Sequence, residues 1–118
     1  MVDEVRAAYE RRDLEGLAAL LADDVTWGEP GVPGSCHERR GVVATFRRQL
    51  DAGLAGEVVS VVGFPGGVVV HLRTTRGERW QALLVSAGRI SKIRGSTRPH
   101  PPLTRRLHRL VVERPPRR

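Results

Sequence analysis

Four runs of β-branched and apolar residues follow one another between Glu57 and Arg94: EVVSVVGF, VVVHLRTT, ERWQALLVS and RISKIR. Pro65-Gly66-Gly67, Arg76-Gly77 and Ala87-Gly88 separate them, and connections this short make neighbouring strands antiparallel. A four-strand meander of this kind has two largely apolar faces at its centre. Both faces must be covered, so the rest of the chain is constrained to supply the cover.

The N-terminal half supplies helices. In VDEVRAAYERRD, Val2, Val5 and Tyr9 fall three and four apart with Ala8 beside them, an apolar stripe that has Asp3 and Glu4 in its first turn. Asp13 is placed to cap a second helix in which Leu14, Leu17, Leu20 and Leu21 recur at helical spacing, ended by Asp23 and Asp24. Val25, Thr26 and Trp27 favour extended chain, and Glu29-Pro30 closes that strand because a residue before proline is pushed out of helical space. GVPGSCHE, from Gly31 to Glu38, reads as a loop. Arg39 to Leu54 reads as a third helix, apolar at Val42, Val43, Phe46 and Leu50 and terminated by glycine. Two helices, a strand, a helix and a meander define an α+β arrangement.

Composition narrows the function classes. The net charge is +7, which suggests nucleic acid until it is located. Residues 1–94 hold 13 Lys+Arg against 12 Asp+Glu, whereas residues 95–118 hold 7 against 1. The basicity therefore belongs to the last stretch, which lacks stacking aromatics and any recognised nucleic-acid motif. No apolar run approaches the eighteen residues that cross a bilayer, and no basic-then-apolar leader opens the chain, so no membrane is expected and the expected compartment is the cytoplasm. One cysteine, Cys36, forms no internal disulfide. His37, His71, His100 and His108 have no ligand spacing and no glycine-rich loop links a strand to a helix, so neither a metal nor a cofactor is expected.

The order of elements, and the phrase DLEGLAALLADDVTWGEP from Asp13 to Pro30 in particular, resembles the SnoaL-like branch of the nuclear transport factor 2-like superfamily. ERRGVVATFRRQL is similar to that family's third helix and GRISKIRG to its last strand. The resemblance runs from Val2 to about Gly95. It implies a cone-shaped roll, with three N-terminal helices packed on one face of a curved antiparallel sheet, followed by an Arg/Pro-rich segment over residues 96–118. For function it implies only a range, because the fold hosts isomerases, polyketide cyclases, dehydratases, epoxide hydrolases and members without chemistry.

Set against the ketosteroid isomerase branch, Glu29 falls where those enzymes keep the carboxylate that moves the proton, with Pro30 after it. A carboxylate in an apolar cone can be raised toward neutrality, which suits a general base. By the same comparison the oxyanion-hole tyrosine position is Val5 and the neutral-acid position is near Ala82. A base without donors for the oxyanion forfeits roughly 10²–10³ in rate per donor, which argues against steroid-type isomerisation. The competing reading makes Glu29 a solvated acid or an arginine partner at a strand end.

Two-residue turns at Arg76-Gly77 and Ala87-Gly88 would pair Arg73 with Trp80, His71 with Ala82, and Ala82 with Ile93. One face then carries Val69, His71, Arg73, Trp80, Ala82, Leu84, Ser91 and Ile93. The expectation is that this face points into the cone, because relatives keep the Ile93 position on the pocket side, and a slip of one residue would reverse it. His71 then joins Glu29 as a candidate proton carrier, Arg73 is the polar anchor for a ligand oxygen, and Trp27 and Trp80 line or fill the cavity. The outer face is expected to pair with a second copy, giving a homodimer.

Two functions follow. The first is a pocket for a small apolar, oxygen-bearing ligand with acid/base chemistry; the second is a non-catalytic cone for dimerisation or partner binding. A cavity of at least roughly 300 Å³ near Trp80 separates them. In the last segment Leu103, Leu107, Leu110 and Val111 mark one helical face between prolines. Docking on the outer sheet face, binding an acidic partner, and a frayed extension all remain open for it.

Overall fold

The computed structural model describes residues 1–28, 35–53 and 56–98. Glu29, Pro30, and Leu103, Leu107, Leu110 and Val111 of the last segment lie outside the described residues. Three helices, α1 (Val2–Arg11), α2 (Leu14–Leu20) and α3 (Glu38–Asp51), accompany six strands: β1 (Leu21–Trp27), β2 (Cys36–His37), β3 (Glu57–Phe64), β4 (Gly67–Thr74), β5 (Gly77–Ser86) and β6 (Arg89–Ser96). The sheet order is β2-β1-β6-β5-β4-β3. The meander β3 to β6 is antiparallel throughout, while β1 runs parallel to β6 and antiparallel to the two-residue β2. The fold class is α+β, as expected, with helices on one face of an open curved sheet.

Local chemistry sets the element ends. Asp13 caps α2, its carboxylate accepting from the Gly16 amide at 2.9 Å. The chain turns extended at Leu21, earlier than the leucine spacing suggests, because Leu21 is fully buried as the first residue of β1. Cys36 and His37, read as loop, pair with Trp27 and Thr26. Pro65-Gly66 makes the first meander turn, with Gly66 at φ 96°. Ala87 and Gly88, at φ 53° and 78°, both in the left-handed backbone region, make a two-residue turn that matches the right-handed twist of the strands.

Two registers differ from expectation. In the β4–β5 hairpin Thr74 pairs with Gly77, so the turn is Thr75-Arg76. The Thr74 hydroxyl accepts from the Arg76 amide at 3.1 Å and donates to the Gly77 carbonyl at 2.8 Å, closing the loop one residue early. His71 therefore sits opposite Trp80, and Arg73 opposite Glu78. That slip of two preserves the faces.

The second difference does not preserve them. Val85 pairs with Ile90 but Leu84 pairs with Lys92, which leaves Ser91 as an extra residue in β6. The Ser91 hydroxyl donates to the Leu84 carbonyl at 3.2 Å. Because of this bulge Ile90 and Ile93, three apart, both face the helices and both are fully buried. Ile93 lies opposite Leu83 rather than Ala82. The core thus forms on the face of Val61, Val68, Val70, Leu72, Leu83, Ile90 and Ile93, under Val5, Ala8, Leu17, Val42 and Phe46 of the helices. The expected placement of the His71–Trp80 face inside the cone is reversed. One uncounted residue was enough, since side chains alternate with period two.

Candidate functional site

The interior face carries one buried polar side chain among the described residues, Gln81 at 6 % exposure. Beta pairing puts it beside Val70 and Gly95. Pleating points it up between the helices, where the Tyr9 hydroxyl donates to its Oε1 at 2.5 Å. Tyr9 reaches this position because it follows Val5 by four residues on the stripe of α1 that packs on the sheet. Burial pushes the Tyr9 phenol well above its ordinary pKa, so it is held protonated as a donor.

Around this pair the walls are apolar. Ala8, Leu14, Leu17, Phe46, Leu50 and Leu72 surround a recess whose rim also takes in Arg12, Asp13 and Gln49. The cavity is about 40 Å³, room for a water or two and well below the roughly 300 Å³ of a metabolite pocket. Phe46 links this recess to Trp27: its ring is edge-on to Tyr9 at 5.8 Å and tilted against Trp27 at 4.7 Å. Trp27 therefore lies on the interior side, as the last residue of β1.

The other expected ligand residues lie elsewhere. His71 and Trp80 are half-buried on the face away from the helices, their rings stacked at 4.4 Å and 11°. His71 Nε2 is hydrogen-bonded to Glu78 Oε1, and Arg73 Nε donates to Glu78 Oε2 at 3.1 Å. Arg73 also comes within 4.0 Å of Glu57. This places His71, Arg73 and Trp80 together but separates them from Trp27 and the recess by the thickness of the sheet. The β6 bulge is the cause, since it turns this face away from the helices.

Glu78 is held below the ordinary carboxylate range by the hydrogen bond from Arg73 and, second, by that from His71. A depressed carboxylate contributes stability that is full above its unfolded pKa and is lost as pH falls through the folded one. The melting-temperature gap between the native chain and Glu78→Gln should therefore be largest at neutral pH. It should close in acid, below the usual glutamate pKa. A gap that persists undiminished at pH 3 would show that the interaction is not ionic.

Cys36 lies half-buried with Sγ 3.3 Å from the Thr45 hydroxyl, which also accepts from Arg48 at 3.0 Å. His37 is exposed beside Glu38. No three metal-ligating side chains converge among the described residues, and no helix of the described residues is long and apolar enough to cross a membrane.

Sequence reading passed over Tyr9 and Gln81 as site residues. Tyr9 looked like core, and Gln81 lay on the face assigned outward. The available signal was the pairing of one carboxamide with an apolar strand face and one hydroxyl-bearing ring on the helix stripe above it.

Three helices on one face of an open, curved sheet, with a recess between them, define the cone-shaped α+β class. Within it the chain belongs to the SnoaL-like domain family, which its sequence matches over residues 2–112. That match extends past β6. Among solved structures, a SnoaL-like protein of unknown function from Burkholderia thailandensis is 18% identical with a TM-score of 0.64, covering 79% of this chain and 87% of its own. A putative polyketide cyclase from Sinorhizobium meliloti is 14% identical with a TM-score of 0.64, over 81% and 95%. A protein from Kribbella flavida is 18% identical with a TM-score of 0.62, over 93% and 96%. At these identities the likeness is one of fold. No curated protein matches the chain.

Proposed function

We propose that this protein binds a small, largely apolar ligand bearing an oxygen, in the recess between α1, α2, α3 and the sheet. The observation behind the reading is the Tyr9–Gln81 pair: a protonated hydroxyl and a carboxamide at the floor of an otherwise apolar hollow. Such convergent polar groups in apolar walls are what orient a small ligand. The ligand oxygen would replace Gln81 as acceptor of the Tyr9 hydrogen. At about 40 Å³ the hollow is smaller than the roughly 300 Å³ that separates the two readings, which favours the second, a non-catalytic cone for dimerisation or partner binding. The ligand reading requires that Leu14 and Leu17 of α2 and Leu50 in the last turn of α3 part on binding.

The same geometry suits acid/base chemistry on that ligand. Tyr9 would stabilise a developing oxyanion by donating to it, the task for which the comparison with ketosteroid isomerases left no tyrosine at Val5. Glu29, two residues beyond Trp27, would carry the proton. His71, Arg73 and Trp80 have no part in this reading, since they lie on the opposite face.

Thermal shift with small cyclic ketones and phenols, alongside steroid-like and detergent-like probes, tests it. A ligand at 100 times its Kd adds about 2.7 kcal/mol, a shift of several degrees in a domain of this size. The expected pattern is protection by oxygen-bearing probes that Tyr9→Phe abolishes, with Glu29→Gln preserving binding but removing turnover. Equal protection of Tyr9→Phe and the native chain would take the ligand out of this recess.

A further inference from the structure

The recess under the helices is walled by α1, α2, α3 and the sheet, and these walls are not held alike. α1 is fixed by buried Val5 and Ala8, by the Tyr9–Gln81 hydrogen bond, and by Arg6, which donates to the Val61 carbonyl at 3.1 Å. α3 runs fourteen residues with Val42 and Phe46 buried, and the Phe46 ring is clasped between Tyr9 and Trp27. The floor is a hydrogen-bonded sheet. None of these three yields without breaking the core.

α2 is held differently. It has seven residues, of which Leu17 alone is buried, and it leans on α1 and α3. Its third residue is glycine for a reason: a Cβ on Gly16 would lie 2.5 Å from an oxygen of Asp13, the carboxylate that caps the helix. The cap thus obliges a residue that favours unwinding. A short helix with an interior glycine and one buried side chain belongs at the low end of local stability.

The flanking residues leave it room to roll. Before it, Arg12 takes the left-handed conformation at φ 53° and ψ 42° and Asp13 an extended one at φ −91° and ψ 94°, two consecutive residues outside helical space that form a hinge. After it, Leu21 is fully buried in β1. Arg89, the first residue of β6, reaches across and donates from Nη1 to the Ala19 carbonyl at 3.0 Å. That carbonyl is one of those a helix end leaves without an internal partner, and a cation is favoured there. Both residues are exposed, and Arg89 lines no part of the recess.

We infer that α2 is the lid of the recess: it rolls outward between the Arg12–Asp13 hinge and Leu21, withdrawing Leu14 and Leu17 from above Tyr9 and Gln81, and the Arg89–Ala19 hydrogen bond is the latch that holds it shut. Ligand entry by this route rests on the proposed binding at Tyr9 and Gln81; the opening itself does not.

Amide hydrogen exchange of the native chain, Arg89→Gln and Arg89→Lys measures the opening residue by residue. In the native chain the Ala18 and Leu20 amides of α2 should exchange faster than Ala8 of α1 and Phe46 of α3, which open only with the whole fold. Arg89→Gln should quicken Ala18 and Leu20 about threefold, the effect of losing one exposed hydrogen bond to a helix end. Arg89→Lys keeps a donor and should return toward the native rate. The glutamine variant should also lower the apparent Kd for phenol about threefold, because a ligand that enters only the open form then meets a larger open population. α2 amides as slow as Ala8 and Phe46 in the native chain, or unchanged α2 rates in Arg89→Gln, overturn the inference. So does phenol bound with equal affinity by the native and Arg89→Gln chains, since entry would then bypass α2. Quickened α2 exchange with phenol bound by neither chain upholds the opening and removes the binding reading instead.

Discussion

Inserting one alanine between Ser91 and Lys92 should abolish the native fold or cost it more than about 3 kcal/mol, an effect larger than that of most single substitutions. Ser91 makes only one side-chain hydrogen bond, to the Leu84 carbonyl, worth about 1 kcal/mol. Its weight lies in its count. A second extra residue moves the rest of β6 along by one, so that Ile93 falls opposite Ala82 on the outer face while Lys92 and Arg94 fall opposite Leu83 and Gln81 on the core face. Burying unpaired cations costs several kcal/mol each. Ser91→Ala keeps the count and should lose only about the hydrogen bond. Urea unfolding of the two variants measures the contrast. Similar midpoints would mean that the bulge does not determine the faces.

Tyr9→Phe should destabilise the chain by about 1–3 kcal/mol, because it strands the Gln81 carboxamide in an apolar recess. Gln81→Leu does the reverse, leaving the phenol without its acceptor, and should cost a similar amount. The double variant removes both polar groups and should recover most of the loss. A coupling of at least about 1 kcal/mol between the two positions is the expected result. Additive losses would show that the two groups do not meet. If the recess is a ligand site, the double variant is also a stable chain that no longer binds, the usual exchange of function for stability.

Much of this fold is legible in the sequence because its strongest signals are local and redundant. The Asp13 cap, the leucine spacing of α2, the Val42–Phe46–Leu50 stripe and the turn glycines each specify their element without help. The family phrase from Asp13 to Pro30 adds the order in which they assemble. The candidate site was far less legible, because its geometry depends on counting. A hairpin turn at Thr75-Arg76 rather than Arg76-Gly77 moved His71 from Ala82 to Trp80, and a hydroxyl on Thr74 decided it. A bulge at Ser91 then exchanged the two faces, and with them the residues assigned to the cone.

The consequences run through the functional reading. His71 and Arg73 share a face as expected, but their acid partner is Glu78 on the neighbouring strand, and together these groups lock the β4–β5 hairpin. Trp27 and Trp80 were read as one aromatic lining, yet the sheet divides them. Gln81, on the face expected to lie outward, is the buried polar group. A polar residue amid valine and leucine on one strand was visible from the start; which side it faced depended on one serine.

Which face of the sheet lies under the helices is the central assignment, and nuclear Overhauser contacts of the two faces measure it directly. The Gln81 side-chain amide should show contacts to the Tyr9 ring, and the Trp80 indole to His71 but to no proton of Tyr9 or Phe46. Contacts from the Trp80 indole to Tyr9 or Phe46, with Gln81 silent toward α1, would contradict it.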